Sequence, residues 1–132
     1  MRRAARRDAI ASRPSKKGQE YPHGARPANA GKLVRKADFD AVYRNGKRRS
    51  GSHFTVFLKA NDLPESRFGF SIKRALGGAV VRNHIRRRIR EVLRLHGKEI
   101  SAGWDFVIHP KTNVEKAAFA VLESDLARLL KV

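Results

Sequence analysis

The feature that most constrains the fold lies in residues 68–97, where a short apolar segment runs through two glycines into an arginine-rich helical pattern. Apolar side chains alternate with small or polar ones at its start, at Phe68, Phe70 and Ile72. That alternation is the period of a half-buried strand. Gly77 and Gly78 relax the backbone at a sharp turn, and from Ala79 the apolar period becomes helical. The segment therefore predicts a strand followed by a long amphipathic helix.

At about 100° per residue, this helix separates into an apolar face and a basic face. The apolar face comprises Val81, Ile85, Ile89, Val92 and Leu95. The basic face comprises Arg82, Asn83, Arg86, Arg87, Arg90 and Arg94. Arg88 projects near the apolar face, so its aliphatic stem must extend along that face to bring the guanidinium group to solvent. A solvated charged face is the ordinary alternative, but only Glu91 offsets these arginines, which repel one another at four-residue spacing. The pattern favours a polyanionic partner.

Length and charge restrict the class of protein. The 132 residues allow one domain with one core, and their net charge of +18 indicates a nucleic acid or another polyanion as partner. The absence of cysteine excludes disulfides and thiolate metal sites and suits a reducing cytoplasm. No apolar run approaches the ~20 residues that span a bilayer. We expect a cytoplasmic protein without membrane association.

Charge and composition divide the chain in two. Residues 1–31 carry eight basic and two acidic side chains with three prolines, which predicts a disordered basic N-terminal arm. An organelle transit peptide is a less favoured interpretation, because the arm lacks an amphipathic period. Residues 32–132 keep 22 basic and 10 acidic groups, so the charge belongs mainly to the predicted folded domain.

The remaining patterns complete an α+β fold. We expect helix, strand, strand, helix, strand and helix over residues 36–45, 54–60, 68–73, 79–96, 104–109 and 115–130. The first helix ends at Gly46, and Arg44, Lys47, Arg48 and Arg49 around this end predict a mobile basic loop. Residues 68–73 are expected to form a hairpin with residues 54–60, with Trp104 in the core. The predicted architecture is a two-layer sandwich with a small sheet and about three helices.

Aromatic residues suggest a second binding surface. Phe39 and Tyr43 lie four residues apart on the first predicted helix, where they form either core or one wall of a cleft for unpaired bases. Phe57 lies on the more polar face of its strand. Alternation places Gly69, Ser71 and Lys73 on the same side, which would be flat and cationic. Such a face suits single-stranded nucleic acid.

The sequence gives little sign of an active site borne by the protein. A protein nuclease needs an acid–base pair or a carboxylate cluster that holds metal, whereas the five histidines show no ligand spacing and the acids are scattered. No catalytic residue and no protein-bound metal are expected. A DNA-binding helix is a further alternative, but no compact helix-turn-helix partner accompanies it. A membrane-surface helix is disfavoured because the sheet needs its apolar face.

The helix carries a specific resemblance. Arg82-Asn83-x-x-Arg86-Arg87-x-x-Arg90-Glu91, preceded by Gly-Gly-Ala-Val-Val, resembles the signature of the bacterial ribonuclease P protein component family. Asp38-Phe39 with Tyr43 and Gly46-Lys47-Arg48 resembles the family's first helix, and residues 54–73 resemble its central hairpin. The resemblance covers about residues 33–130. His84 and Ala75 depart from the family pattern, which usually has basic residues at or near these positions.

The resemblance implies a protein subunit of ribonuclease P, a ribonucleoprotein endonuclease whose RNA cuts the 5′ leader from precursor tRNA. It implies that Mg²⁺ is bound mainly by that RNA and that no protein partner is obligatory. RNA contacts would come from Arg82, Asn83, Arg86, Arg87, Arg90, Lys73 and Arg74. The leader cleft would be lined by Phe39, Tyr43 and Phe57. The implied fold has a left-handed βαβ crossover like that of ribosomal protein S5 domain 2. A basic ribosomal or ribosome-assembly protein is the alternative.

Overall fold

The computed structural model describes residues 31–132, which form three α-helices and one four-stranded mixed sheet. The helices are α1 (Lys36–Asn45), α2 (Ala79–Leu95) and α3 (Phe119–Leu129). The strands are β1 (Lys47–Ser50), β2 (Phe54–Ala60), β3 (Arg67–Phe70) and β4 (Trp104–Pro110). The α+β class is confirmed. The predicted basic arm lies outside the described residues, apart from Gly31.

Strand order in the sheet is β1-β2-β4-β3. β2 is antiparallel to both of its neighbours, whereas β3 runs parallel to β4. The β3–α2–β4 connection is therefore a crossover between adjacent parallel strands, as βαβ units require. The left-handed sense of this crossover stays a prediction.

The main core lies between one face of the sheet and helices α2 and α3. β2 and β4 each send alternate side chains into it, so Val56 lies beside Ile108 and Leu58 beside Phe106 along the register. Phe54 is buried on the same side of β2. The helices contribute buried residues at turn spacing, including Ile85, Ile89, Val92, Leu122 and Leu126. Full burial of one such side chain stabilises the fold by about 1.5–3 kcal/mol. Trp104 belongs to this core, as the sequence predicted.

Helix α1 covers part of the opposite sheet face with a smaller apolar cluster. Val42 is fully buried there against Val107, and Phe39, Phe57 and Leu33 pack around them. Gly69 makes this packing feasible, because a β-carbon at that position would lie 2.5 Å from the Phe39 ring. Helix α1 thus covers one part of this sheet face and leaves the rest of it open.

The predicted mobile loop after α1 is wrong, because residues 47–50 form strand β1 at the sheet edge. Charged side chains are usual on edge strands, where they discourage pairing with other chains. Arg49 also has a fixed partner, since its guanidinium donates to the main-chain oxygens of Leu129 and Lys131 at 3.1 and 2.6 Å. The composition of residues 47–50 is therefore typical of a loop, although these residues pair with β2.

The predicted hairpin between residues 54–60 and 68–73 is also wrong. β4 lies between these two segments and pairs with both of them. The turn after β2 is instead hydrogen-bonded to the start of β4. Asn61 donates through Nδ2 to Asp105 at 2.9 Å, and its main-chain N–H donates to the Gly103 carbonyl. β3 also ends at Phe70 rather than at Lys73.

Two helix ends differ from the prediction. α3 begins at Phe119 rather than Glu115, because a 3₁₀ turn at Thr112–Val114 precedes it and buries Val114. Leu95, which was predicted on the apolar face of α2, is the last residue of that helix and is exposed. The helix continues past the sheet surface that its earlier turns cover.

The end of α2 is joined to α3 through His96. Its ring nitrogens lie 2.9 Å from Glu123 Oε2 and 3.3 Å from Glu99 Oε1. Hydrogen bonds to Glu123 and then to Glu99 raise the pKa of His96 above its ordinary value. The protonated histidine is therefore favoured in the folded state.

We expect this junction to make the fold more stable in mild acid than at alkaline pH. Because the folded pKa exceeds the unfolded value of about 6.5, the contribution of His96 is complete below that pH and is lost as pH rises through the folded pKa. Chemical denaturation between pH 5.5 and 8.5 should show the stability difference between the natural chain and His96→Gln shrinking as pH rises. A constant difference across that range would contradict this account.

Candidate nucleic-acid interface

The basic face of α2 is positioned by the glycine turn before it. Gly77 has φ of 144°, in a region that favours glycine, and a β-carbon there would lie 2.8 Å from Val81. Gly78 is the N-cap, and its carbonyl accepts from the Arg82 N–H at 2.9 Å. The turn thus permits Val81 to pack towards the core while the next residue, Arg82, starts the basic face.

The arginines of this face lack acidic partners within the described residues. Arg87 and Arg90 are exposed, and within residues 31–132 Arg86 donates only to Asn83 Oδ1, at 2.7 Å. Arg82 has a buried Nε that no group in residues 31–132 accepts from, which is unusual for a buried donor. These side chains offer guanidinium groups to an external anion, which such groups bind bidentately when it is phosphate.

Two other arginines of α2 have internal roles. Arg88 donates to the Ala117 carbonyl at 2.6 Å, so its stem does reach away from the core, but to the segment before α3. Arg94 forms an ion pair with Glu91, which raises the pKa of the arginine and lowers that of the carboxylate. The structure therefore separates these two from Arg82, Arg86, Arg87 and Arg90.

An aromatic groove lies on the open part of the other sheet face. We use this name for a depression of about 560 Å³ whose lining includes Phe57, His109, Lys73 and Arg48. Tyr43 contacts both rings at its edge, with ring centres 5.1 Å from Phe57 and 5.6 Å from His109, in edge-to-face geometry. The groove combines ring surfaces with cations, as sites for single-stranded nucleic acid do.

Tyr43 and His109 form a neutral pair in this groove. Tyr43 Oη lies 2.8 Å from His109 Nε2. Burial, and then the nearby Lys73 charge, lower the pKa of His109, while burial raises the pKa of Tyr43. Both rings are uncharged near pH 7, so the cations rather than the rings supply the attraction for phosphate.

Phe39 does not join Tyr43 and Phe57 in the aromatic groove. It lines a separate depression of about 410 Å³ between β3 and α2, which we call the β3–α2 groove. Phe68, Phe70, Arg86 and Arg90 also line it. The structure therefore brings together two of the three residues assigned to the leader cleft and places the third beside the basic face of α2.

The remaining basic residues assigned to RNA binding lie between these surfaces. Lys73 and Arg74 follow β3 and are exposed, with Arg74 beginning a short 3₁₀ turn. Lys73 lines the aromatic groove rather than the face of α2. His84, which departs from the pattern that the resemblance implies, is exposed on α2.

Sequence reasoning missed His109 and Arg48 as groove residues. Strand alternation was sufficient to find His109, because it shares the face of Val107, opposite the buried Phe106 and Ile108. Arg48 could not be placed, since the strand that carries it was interpreted as a loop. Its partner across the register is Phe57.

Two other kinds of site are absent from the described residues. No group of three or more histidine or acidic side chains in residues 31–132 is arranged to hold a metal ion. Within the same part of the chain, no helix has the length and apolar character that crossing a bilayer requires.

Comparison with known proteins identifies the family. The model of the Ribonuclease P family matches residues 28–132. The chain is 39% identical over 101 residues to the ribonuclease P protein component of Acidothermus cellulolyticus, covering 75% of this chain and 84% of that protein. It is 36% identical over 94 residues to that of Finegoldia magna, covering 71% and 82%.

Solved structures agree with the sequence comparison. The RNase P protein from Thermotoga maritima superimposes with a TM-score of 0.72 at 30% identity, covering 76% of this chain and 94% of the other. The Staphylococcus aureus RNase P protein gives 0.70 at 28% identity, covering 76% and 93%. With the arginine face of α2 and the sheet topology in place, these matches show that the chain belongs to the ribonuclease P protein family.

Proposed function

We propose that this chain acts as the protein subunit of ribonuclease P by binding the catalytic RNA and the 5′ leader of precursor tRNA through two different surfaces. The observation that carries this proposal is the separation of two surfaces: arginines on α2 that have no acidic partner within residues 31–132, and an aromatic, cationic groove on the sheet. The proposed product of the ribonucleoprotein is tRNA with a mature 5′ end, and the proposed place of action is the bacterial cytoplasm.

The basic face of α2 is the proposed contact for the catalytic RNA. Arg82, Asn83, Arg86, Arg87 and Arg90 present guanidinium and amide donors along one side of the helix. Each bound phosphate releases condensed counterions, so binding gains free energy that falls as salt rises. Neutralisation by RNA also relieves the repulsion between these arginines. Arg74 would extend the contact around the turn before α2, whereas Lys73 lines the aromatic groove.

The aromatic groove is the proposed site of the leader. Unpaired bases stack on ring faces at a gain of about 1–3 kcal/mol each, without strict sequence preference. Phe57 and Tyr43 supply rings, while Lys73 and Arg48 supply charge for the backbone. A groove of this kind suits leaders of varied sequence, which precursor tRNAs carry.

In this proposal the catalytic RNA, and not this chain, supplies the groups that cleave the bond. Mg²⁺ would be held mainly by RNA phosphates, whose oxygen atoms are the ligands that this ion prefers. When bound there, Mg²⁺ supplies charge stabilisation for the reacting phosphate. The chain contributes cations that offset repulsion between the two RNAs, which lowers the Mg²⁺ concentration that their association needs.

The direct test is cleavage of a 5′-extended precursor tRNA by a bacterial ribonuclease P RNA at low Mg²⁺. We expect cleavage only when the RNA and this chain are both present. Cleavage by the chain alone would reveal an active site in the protein. No effect with several such RNAs would favour the ribosomal or ribosome-assembly alternative.

The groove assignment gives a prediction for Tyr43, which is 40% exposed. Tyr43→Ala removes a ring at the groove edge, so the preference of the holoenzyme for precursor over mature tRNA should fall about 5- to 100-fold per lost stacked base. Affinity for the catalytic RNA should stay nearly unchanged. Competition binding with the two tRNA forms measures this preference. A variant that mainly lowers the unfolding temperature would make Tyr43 a core residue instead.

A further inference from the structure

We infer that the β3–α2 groove binds one unpaired nucleotide of the catalytic RNA, with its base held between aromatic side chains and its phosphate on Arg86 and Arg90. The inference rests on the proposed function, because it adds a base-binding site to the RNA-facing side of α2. This groove and the aromatic groove share no lining residue.

The shape of the groove suits a planar ring. Phe39 lies directly over the backbone at Gly69 and forms one wall, while Phe70 and Phe68 belong to the strand that forms the floor. Val34, which is 59% exposed, lines the groove and can contact an incoming base. The volume of about 410 Å³ accommodates a single nucleotide rather than a duplex.

The floor of the groove also offers hydrogen bonds. Ser71 donates its main-chain N–H to Ile108 in β4, whereas Phe68 exchanges main-chain hydrogen bonds with Gly31 and Leu33 on the outer side, both at 3.0 Å. Strand alternation turns the backbone of Phe70 to that same outer side. No hydrogen bond from residues 31–132 reaches the Phe70 N–H or carbonyl there. An adjacent donor and acceptor of this kind match the edge of an unpaired base.

The charge around the groove selects an anionic occupant and indicates which RNA supplies it. The Arg90 guanidinium lies 5.6 Å from the centre of the Phe70 ring, so the cation and the ring already form one surface. Arg86 and Arg90 belong to the basic face that we assign to the catalytic RNA. A strand of that RNA bound along α2 can therefore turn one base into the groove, whereas the leader is assigned to the other groove.

The test is base-specific chemical probing of the catalytic RNA, alone and with the full chain, using dimethyl sulfate and a carbodiimide. We expect the chain to protect the pairing edge of at least one unpaired base. Phe70→Leu keeps an apolar side chain in the core but removes the ring, and should restore the reactivity of that base and weaken RNA binding about 5- to 100-fold. Val34→Asp places a negative charge at the groove and should act in the same direction.

Matched variants separate this effect from altered stability or charge. Phe119→Leu changes a phenylalanine packed on the same core outside both grooves, and Val121→Asp adds the same charge at a 48% exposed valine on α3. Both should leave the base protected. Because Val34 is exposed, Val34→Asp remains decisive even if Phe70→Leu unfolds.

Two results would overturn the inference. The first is an identical protection pattern for Val34→Asp and Val121→Asp, which would mean that no RNA base occupies the groove. The second is protection that appears only after precursor tRNA is added, which would assign the groove to the substrate. Either result can occur while the chain still supports cleavage, so failure of this inference is distinguishable from failure of the proposed function.

Discussion

The Arg86→Ala/Arg87→Ala variant should bind the catalytic RNA about 10- to 100-fold more weakly, with a flatter dependence on salt. Within the described residues neither guanidinium has an acidic partner, and the only internal bond lost is that from Arg86 to Asn83. The loss therefore falls on RNA contacts rather than on the fold. Each lost phosphate contact removes about one unit from the slope of log affinity against log salt. Filter binding across a salt series measures both quantities.

A control of equal charge distinguishes position from net charge. Lys98 and Lys116 are exposed and lie outside the proposed contacts, so Lys98→Ala/Lys116→Ala removes the same two charges elsewhere. We expect it to change the salt slope much less. An unchanged slope for the Arg86/Arg87 variant would remove these residues from the interface.

Asp105→Ala should destabilise the fold by about 2–3 kcal/mol. Asp105 is 4% exposed and receives two bonds from Arg67, at 2.8 and 2.6 Å, together with one from Asn61. Removal of one member of a buried pair leaves the other charge poorly compensated, at a typical cost of about 3–5 kcal/mol. We expect less here because Arg67 is partly exposed and lies 3.5 Å from Asp38. Denaturant unfolding measures the change.

Asp38→Ala is the matched comparison for this cluster. It removes the more distant and more exposed acidic neighbour of Arg67, so its effect should stay below about 1 kcal/mol. Equal effects of the two substitutions would mean that the buried bonds of Asp105 contribute no more than a surface ion pair.

The sequence predicted those parts of the fold that depend on local periodicity. The start of α2 and the inward residues of β2 and β4 follow from spacing alone, because each pattern decides which side chains meet the core. The basic face of α2 follows in the same way. Its arginines are found where the helix period puts them, although no pattern reveals the internal partners of Arg88 and Arg94.

Strand pairing could not be predicted, because it depends on contacts between distant segments. Residues 54–60 and 68–70 are close in sequence and resemble a hairpin, yet β4 pairs with both. Edge strand β1 has a composition that also suits a loop. The same lack of tertiary information explains the cleft assignment: Phe39 and Tyr43 are four residues apart on α1 but face different grooves.

The position of β4 has a consequence for how the chain folds during synthesis. This strand lies between β2 and β3, although it follows both of them in sequence and is the last strand of the described residues. Until residue 110 has left the ribosome, β3 has no neighbouring strand in the sheet and α2 has no complete surface to pack against. The nascent chain must therefore keep the apolar face of its long arginine helix and the core-facing residues of β2 without their final partners until β4 has been made.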